Sequence, residues 1–127
     1  MELVAIVVSL ALAEYVLFGI RAGQARGRYE VAAPATHGHP IFERHLRVQE
    51  NTIEQLVIFL PAIFLFARYV SPVFAALLGL VFIVGRGLYA RAYVNDPAGR
   101  GPGFLLTIGS NLILLLGGLV GALVAWL

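Results

Sequence analysis

Four stretches of this chain are so apolar that they constrain everything else: Leu3–Ile20, Leu56–Ala67, Val73–Tyr93 and Phe104–Leu127. About 20 mostly apolar residues in a helix cross the ~30 Å hydrocarbon core of a bilayer. Inside lipid, every backbone N–H and C=O must find its partner within the spanning structure. Together these requirements leave a bundle of membrane-crossing helices. Composition agrees, with 60% hydrophobic and 13% charged residues and a mean hydropathy of +0.88; soluble domains are about half apolar and about a quarter charged. A length of 127 residues suits one domain. The expected fold is all-α, an integral membrane four-helix bundle over residues 1–127, with helices at about 3–21, 41–70, 73–93 and 104–127.

A cleaved leader is another reading of the first apolar run. Against it, no basic residue precedes the run, and Arg21 follows it. Arg21–Pro40 reads as a polar, partly irregular connection carrying Arg26, Arg28, Glu30 and Pro34. Ser71-Pro72 reads as a tight turn, and Val94–Gly103 (VNDPAGRGPG) as a loop in which Asp96-Pro97 starts a turn. With four spans, the connections after helices one and three share a side. Eight of the nine arginines (21, 26, 28, 44, 47, 86, 91 and 100) lie near that side, and only Arg68 lies near the other. The positive-inside rule places this side in the cytoplasm and both termini outside. No compact basic run suggests nucleic-acid binding. Cysteine is absent, which excludes disulfides, thiolate metal sites and a protein thiol nucleophile. Any sulfur chemistry must come from a bound molecule.

The second helix is the exception to the apolar rule. Phe42–Pro61, FERHLRVQENTIEQLVIFLP, begins charged and ends as hydrocarbon. Arg47, Glu50, Asn51 and Glu54 fall three and four residues apart and therefore share a face. Ionisable groups at membrane depth are costly and usually functional. One reading is a polar network that glues helices together, with Arg47 reaching Glu50 and Asn51. The other is a site for a zwitterion such as a small peptide or amino acid: guanidinium for carboxylate, carboxylate for ammonium, amide between.

Helix three adds Arg86, Tyr89 and Tyr93 on one face of its cytoplasmic end. Interfacial tyrosines commonly anchor a helix at the membrane surface, but with an arginine at this depth they also make a pocket wall. Arg100 lies between Gly99 and Gly101, which would let a ligand come close. Gly117/Gly121 and Ala75/Gly79 are small-xxx-small pairs, expected at helix contacts within or between subunits. Glu14, alone in helix one, is either a partner for a neighbouring helix near Asn111 or the carboxylate of a small multidrug transporter. The strong charge bias and the helix-two motif argue against transport. His37 and His39 form an HxH, a weak metal signal with only His45 besides.

The order FERxxRVQxNxxE, the later Arg-x-x-Tyr-x-x-x-Tyr, and an arginine seven residues beyond the last tyrosine resemble the MAPEG family, the membrane-associated proteins of eicosanoid and glutathione metabolism. The similarity is greatest to its leukotriene C4 synthase and microsomal glutathione transferase 2 branch and covers essentially the whole chain. The resemblance implies a homotrimer, with glutathione bound between neighbouring subunits on the cytoplasmic side. It assigns glutathione binding to Arg26, Arg47, Gln49, Asn51, Glu54, Tyr89 and Tyr93, and thiolate stabilisation to Arg100. It further implies a glutathione transferase, with peroxidase activity in prospect, acting on a lipophilic electrophile; the expected location is a bacterial inner membrane, with the site toward the cytoplasm as the arginine bias has it. Gln55 stands where the synthase has a tyrosine, Leu112 where it has a tryptophan, and Gly101 where the prostaglandin synthase branch has a serine. These departures favour a broad transferase over a dedicated eicosanoid enzyme. A catalytically silent binding protein for lipid or glutathione is the alternative.

Overall fold

The computed structural model describes all residues, Met1–Leu127. It consists of four long helices and one short 3-10 turn, with no strands: α1 (Glu2–Arg28), α2 (Pro40–Tyr69), α3 (Pro72–Asn95), the 3-10 turn Pro97–Arg100, and α4 (Gly101–Trp126). All of the long helices are long and apolar enough to cross a membrane.

α1 runs seven residues past Arg21, so Arg26 lies on the helix rather than in an irregular connection. Hydropathy ends at Ile20, but Arg21–Arg28 still contains residues compatible with a helix. Arg26 and Arg28 in the last turn also complement the helix dipole. The helix closes when Val31 N–H bonds to Arg26 O at 2.9 Å and Glu30 N–H to Gly27 O at 3.4 Å. Glu30 takes the left-handed conformation (φ 55°) that this closure requires. Val31 is thereby buried with Ala25 and Phe42.

His39 starts α2. Its Nδ1 accepts from Ile41 N–H at 3.1 Å, Pro40 occupies the first turn, and its ring stacks on Tyr29 at 3.8 Å. At 1.5 Å per residue, a helix of 30 residues is about 45 Å long, roughly ten residues more than the hydrocarbon core needs. That surplus is the charged first half of α2. Ser71 caps α3 by accepting from Phe74 N–H at 3.3 Å. The segment read as a loop, Val94–Gly103, is mostly helical. α3 continues to Asn95, Asp96 caps the 3-10 turn through Ala98 N–H at 3.2 Å, and α4 follows Arg100 directly. Pro97 and Pro102 sit in first turns, where a missing N–H does no harm.

α2 and α3 form the centre, and α1 and α4 each pack against both. The main core joins Val4, Val7 and Ala11 of α1 to Leu56, Phe59 and Ile63 of α2, Phe82 of α3 and Leu114 of α4. Phe59 and Phe82 stack at 4.0 Å. The small-residue pairs serve contacts within the chain. A Cβ on Gly117 would stand 2.5 Å from Phe66 Cε2, and one on Gly121 would stand 2.8 Å from Tyr69 O, both in α2. On α3, a Cβ at Gly79 would meet Val7 Cγ1 at 2.4 Å. Glycine lets these helices approach where any side chain would hold them apart.

Candidate functional site

A buried polar layer underlies the site. Arg86 of α3 is fully enclosed (0% exposed). Its Nε donates to Thr107 Oγ1 of α4 at 3.0 Å, and its Nη1 donates to Asn51 Oδ1 at 2.6 Å and Thr52 Oγ1 at 3.3 Å, both in α2. The guanidinium carbon lies 4.4 Å from the Tyr89 ring centroid. One cation thus ties three helices at one level. Thr52 and Thr107 pass their own hydroxyl protons to Val48 O and Gly103 O, at 2.7 and 3.0 Å. Gly103 brings the start of α4 against α3 so closely that a Cβ there would lie 2.4 Å from Tyr89 N.

Above this layer, a cavity of about 440 Å³ opens among α2, α3 and the start of α4. Arg47, Asn51, Tyr89, Tyr93, Arg100 and Phe104 line it. Tyr89 and Tyr93 stack at 5.5 Å, with Tyr89 almost fully buried. Arg47 donates to Glu54 Oε1 at 3.1 Å and lies 3.7 Å from Glu50 Oε2. It does not pair with Asn51, whose Oδ1 is held by Arg86; the Asn51 amide keeps its N–H donors for a ligand. Arg100 is exposed and makes a single bond, from Nη1 to Pro97 O at 3.2 Å. The lining therefore offers two guanidiniums, an amide and two phenols, and the Glu54 carboxylate stands just outside it on Arg47. That set matches the ends of a zwitterionic peptide, and the volume falls within the few-hundred-Å³ range of small-molecule sites.

Three of the expected ligands are not in the cavity lining: Glu54 stays outside it, 56% exposed and paired with Arg47, and two lie elsewhere in the chain. Arg26 and Gln49 line a separate groove of about 190 Å³ between α1 and α2, with Phe42 and Leu46. Arg26 lies over the Phe42 ring at 4.6 Å and donates to Ala35 O at 2.8 Å and Val31 O at 3.4 Å. Gln49 follows Arg47 by two positions, a rotation of roughly 200° around the helix, which puts it on the opposite side of α2.

Other expectations are corrected. Arg86 is not a pocket wall but the buried support beneath Tyr89. Asn111 does not meet Glu14; its Nδ2 donates to Gln55 O at 3.2 Å and to Gln55 Oε1 at 3.1 Å. Gln55 is therefore committed to α4, away from the cavity. Glu14 instead faces α3, where its Oε2 would lie 3.6 Å from a Cβ on Gly87, and its Oε1 is buried without a partner. Leu112 is exposed on the outer face. His39 serves as a helix cap, and His37 pairs with Glu43 at 3.4 Å. Thr52, Thr107, Gly103 and Phe104 were not singled out from the sequence. Small hydroxyls and glycines in apolar helices are too common to signal a role until the helices are placed.

Known proteins are similar to this chain over most of its length. The MAPEG family is matched over residues 4–120. An uncharacterised protein of Synechocystis sp. is 46% identical, over 94% of this chain and 87% of that protein. Human microsomal glutathione S-transferase 2 is 39% identical, over 94% of this chain and 81% of its own length. Leukotriene C4 synthase of Cavia porcellus is 33% identical, over 74% of this chain and 63% of its own.

Proposed function

The chain belongs to the MAPEG family, and on that premise we propose that it is a membrane-bound glutathione transferase acting on lipophilic electrophiles, its activated thiol also able to serve hydroperoxide reduction. The observation that carries the proposal is the shared cavity of Arg47, Asn51, Tyr89, Tyr93 and Arg100. Glutathione supplies the thiol; its sulfur forms a bond to the electrophilic carbon as the leaving group departs with the bonding pair. Arg47 and Asn51 take the carboxylate end, and Glu54 takes the ammonium. Arg47 can exchange partners because exposed ion pairs are worth only about 0–1 kcal/mol. Tyr89 and Tyr93 form the wall.

Arg100 is the catalytic residue in this reading. A cysteine-type thiol has a pKa near ~8.5 and is only a few per cent ionised at neutral pH. A guanidinium against the sulfur favours the thiolate; lowering the pKa by about two units needs about 2.7 kcal/mol of differential stabilisation. Arg100 has the donors to spare, since its only bond in the chain is to Pro97 O.

Arg26 and Gln49 belong to the same site in our proposal, but as the contribution of a neighbouring copy in a homotrimer. Their groove and the Arg100 cavity open on different sides of α2, and stacking subunits around an axis would bring one against the other. The cavity would face the cytoplasm of a bacterial inner membrane, as the arginine bias suggests.

The test uses purified protein in detergent. Adding glutathione should produce the ultraviolet absorbance of a thiolate, and a halonitrobenzene should then be conjugated. Glutathione binding without thiolate or turnover would replace the enzyme with a binding protein. No glutathione binding at all would overturn the whole reading.

A further inference from the structure

Seven of the nine arginines are engaged within the chain. Arg26, Arg44, Arg47, Arg86 and Arg100 donate to oxygen acceptors, and Arg28 and Arg68 lie over the rings of Tyr29 and Tyr69. Arg21 and Arg91 have no such partner, and both line one cavity of about 350 Å³. It lies between α1, α2 and α3, and His45 of α2 contributes a third nitrogen group to it. No Asp or Glu lines it, and it shares no lining residue with the Arg47–Arg100 cavity. An adjoining groove of about 200 Å³ shares Arg21 and His45 and adds Arg28. Glu14 stands on the same face of α1 two turns deeper, against Gly87.

The chemistry of this cavity is divided by depth. Arg21 and Arg91 are exposed, whereas Phe18, Val48 and Ala90 beneath them are buried and apolar. Two guanidiniums gathered from separate helices with no carboxylate in the lining, the nearest being Glu14 behind Gly87 at the deep end, repel one another, and an anion held between them turns that cost into attraction. A free anion would leave the apolar floor unused. An anion carrying hydrocarbon uses both levels, and the rim stands two turns before the end of α1, where the apolar run gives way to Arg21. Basic pockets between membrane helices recognise anionic headgroups in this way.

We propose that the α1–α2–α3 cavity is a binding site for an anionic phospholipid, its phosphate held by Arg21 and Arg91 with His45, and its chain lying over Phe18 and Val48. The site is separate from the glutathione cavity and does not depend on the activity proposed above.

The experiment is native mass spectrometry of the full chain in mild detergent, titrated separately with dioleoylphosphatidylglycerol, dioleoylphosphatidylcholine and inorganic phosphate. Phosphatidylglycerol should be retained in preference to phosphatidylcholine. The double variant Arg21→Gln/Arg91→Gln should weaken its retention on the order of thirtyfold, the product of two headgroup contacts. Arg68→Gln, at the opposite end of the bundle, should leave retention unchanged. Arg21→Lys/Arg91→Lys, which keeps the charge, should retain most of the binding even if the glutamine variant folds poorly. Equal retention of phosphatidylcholine, an equal loss in Arg68→Gln, or wild-type retention by the glutamine variant would each overturn the site. Displacement of phosphatidylglycerol by millimolar inorganic phosphate would overturn the lipid as occupant.

Discussion

Arg86 Nη1 donates to Asn51 Oδ1 at 2.6 Å, across 35 positions of sequence, and so decides which end of the Asn51 amide remains for the cavity above it. The same guanidinium holds Thr107 and supports Tyr89. The floor of the candidate site and the contact among three helices are one structure.

Replacing Arg86 should therefore affect stability and binding together. Arg86→Met leaves the Asn51 amide without its buried partner, at a cost of about 1–3 kcal/mol. Thr107→Val removes one interhelical bond, from Arg86 Nε, and one within α4, to Gly103 O, while Arg86 keeps its bonds to α2; interhelical bonds average about 0.6 kcal/mol. Thermal unfolding in detergent should rank the two in that order. Arg86→Met should also raise KM for glutathione. An unchanged melting temperature and KM would show that the network is incidental.

Arg100 should separate from the binding residues in kinetics. Arg100→Ala should abolish the thiolate absorbance and lower kcat by about 10²–10³-fold, the range for loss of one charge-stabilising donor. Its own bond is an exposed one to Pro97 O, so the melting temperature should hardly change. Full activity in this variant would refute the proposed mechanism.

The pair Arg47–Glu54 should matter more to ligand than to fold. Its side chains are 44% and 56% exposed, so a double-mutant cycle on unfolding should give a coupling of only about 0.2–1 kcal/mol. Calorimetric titration with glutathione should show a larger loss for Arg47→Gln, because a buried or ligand-paired charge interaction is stronger than an exposed one. A stability effect exceeding the binding effect would return this face to a structural role.

Two neighbouring glycines should answer opposite ways. At Gly103 a Cβ would meet the Tyr89 backbone at 2.4 Å, and backbone cannot swing aside. Gly103→Ala should cost about 1–3 kcal/mol and displace Tyr89. Gly101 has open space around its Cβ direction and a helical φ of −54°. Gly101→Ala should be neutral or stabilise by up to about 1 kcal/mol. Melting curves of the two variants decide the matter, and equal effects would contradict the close approach of α4 to α3.

Much of this protein is written locally. The four helices follow from apolar runs, since hydrocarbon leaves the backbone no alternative to pairing with itself. The shared face of Arg47, Glu50 and Glu54 follows from helical spacing, and Tyr89 and Tyr93 do meet one turn apart. Hydropathy measures transfer into lipid rather than helix continuity, which is why it stopped α1 at Arg21 and missed its last seven residues.

Only the tertiary structure could decide what meets across helices. Asn111 turns to Gln55 and Glu14 to Gly87, while Arg26 and Gln49 share a groove that Arg47, two residues away on α2, does not enter. The glycines of α4 pack on α2 in the same chain. Spacing along one helix sets which residues share a face. The rotation and depth of each helix against its neighbours set what that face touches, and those follow from packing many side chains at once.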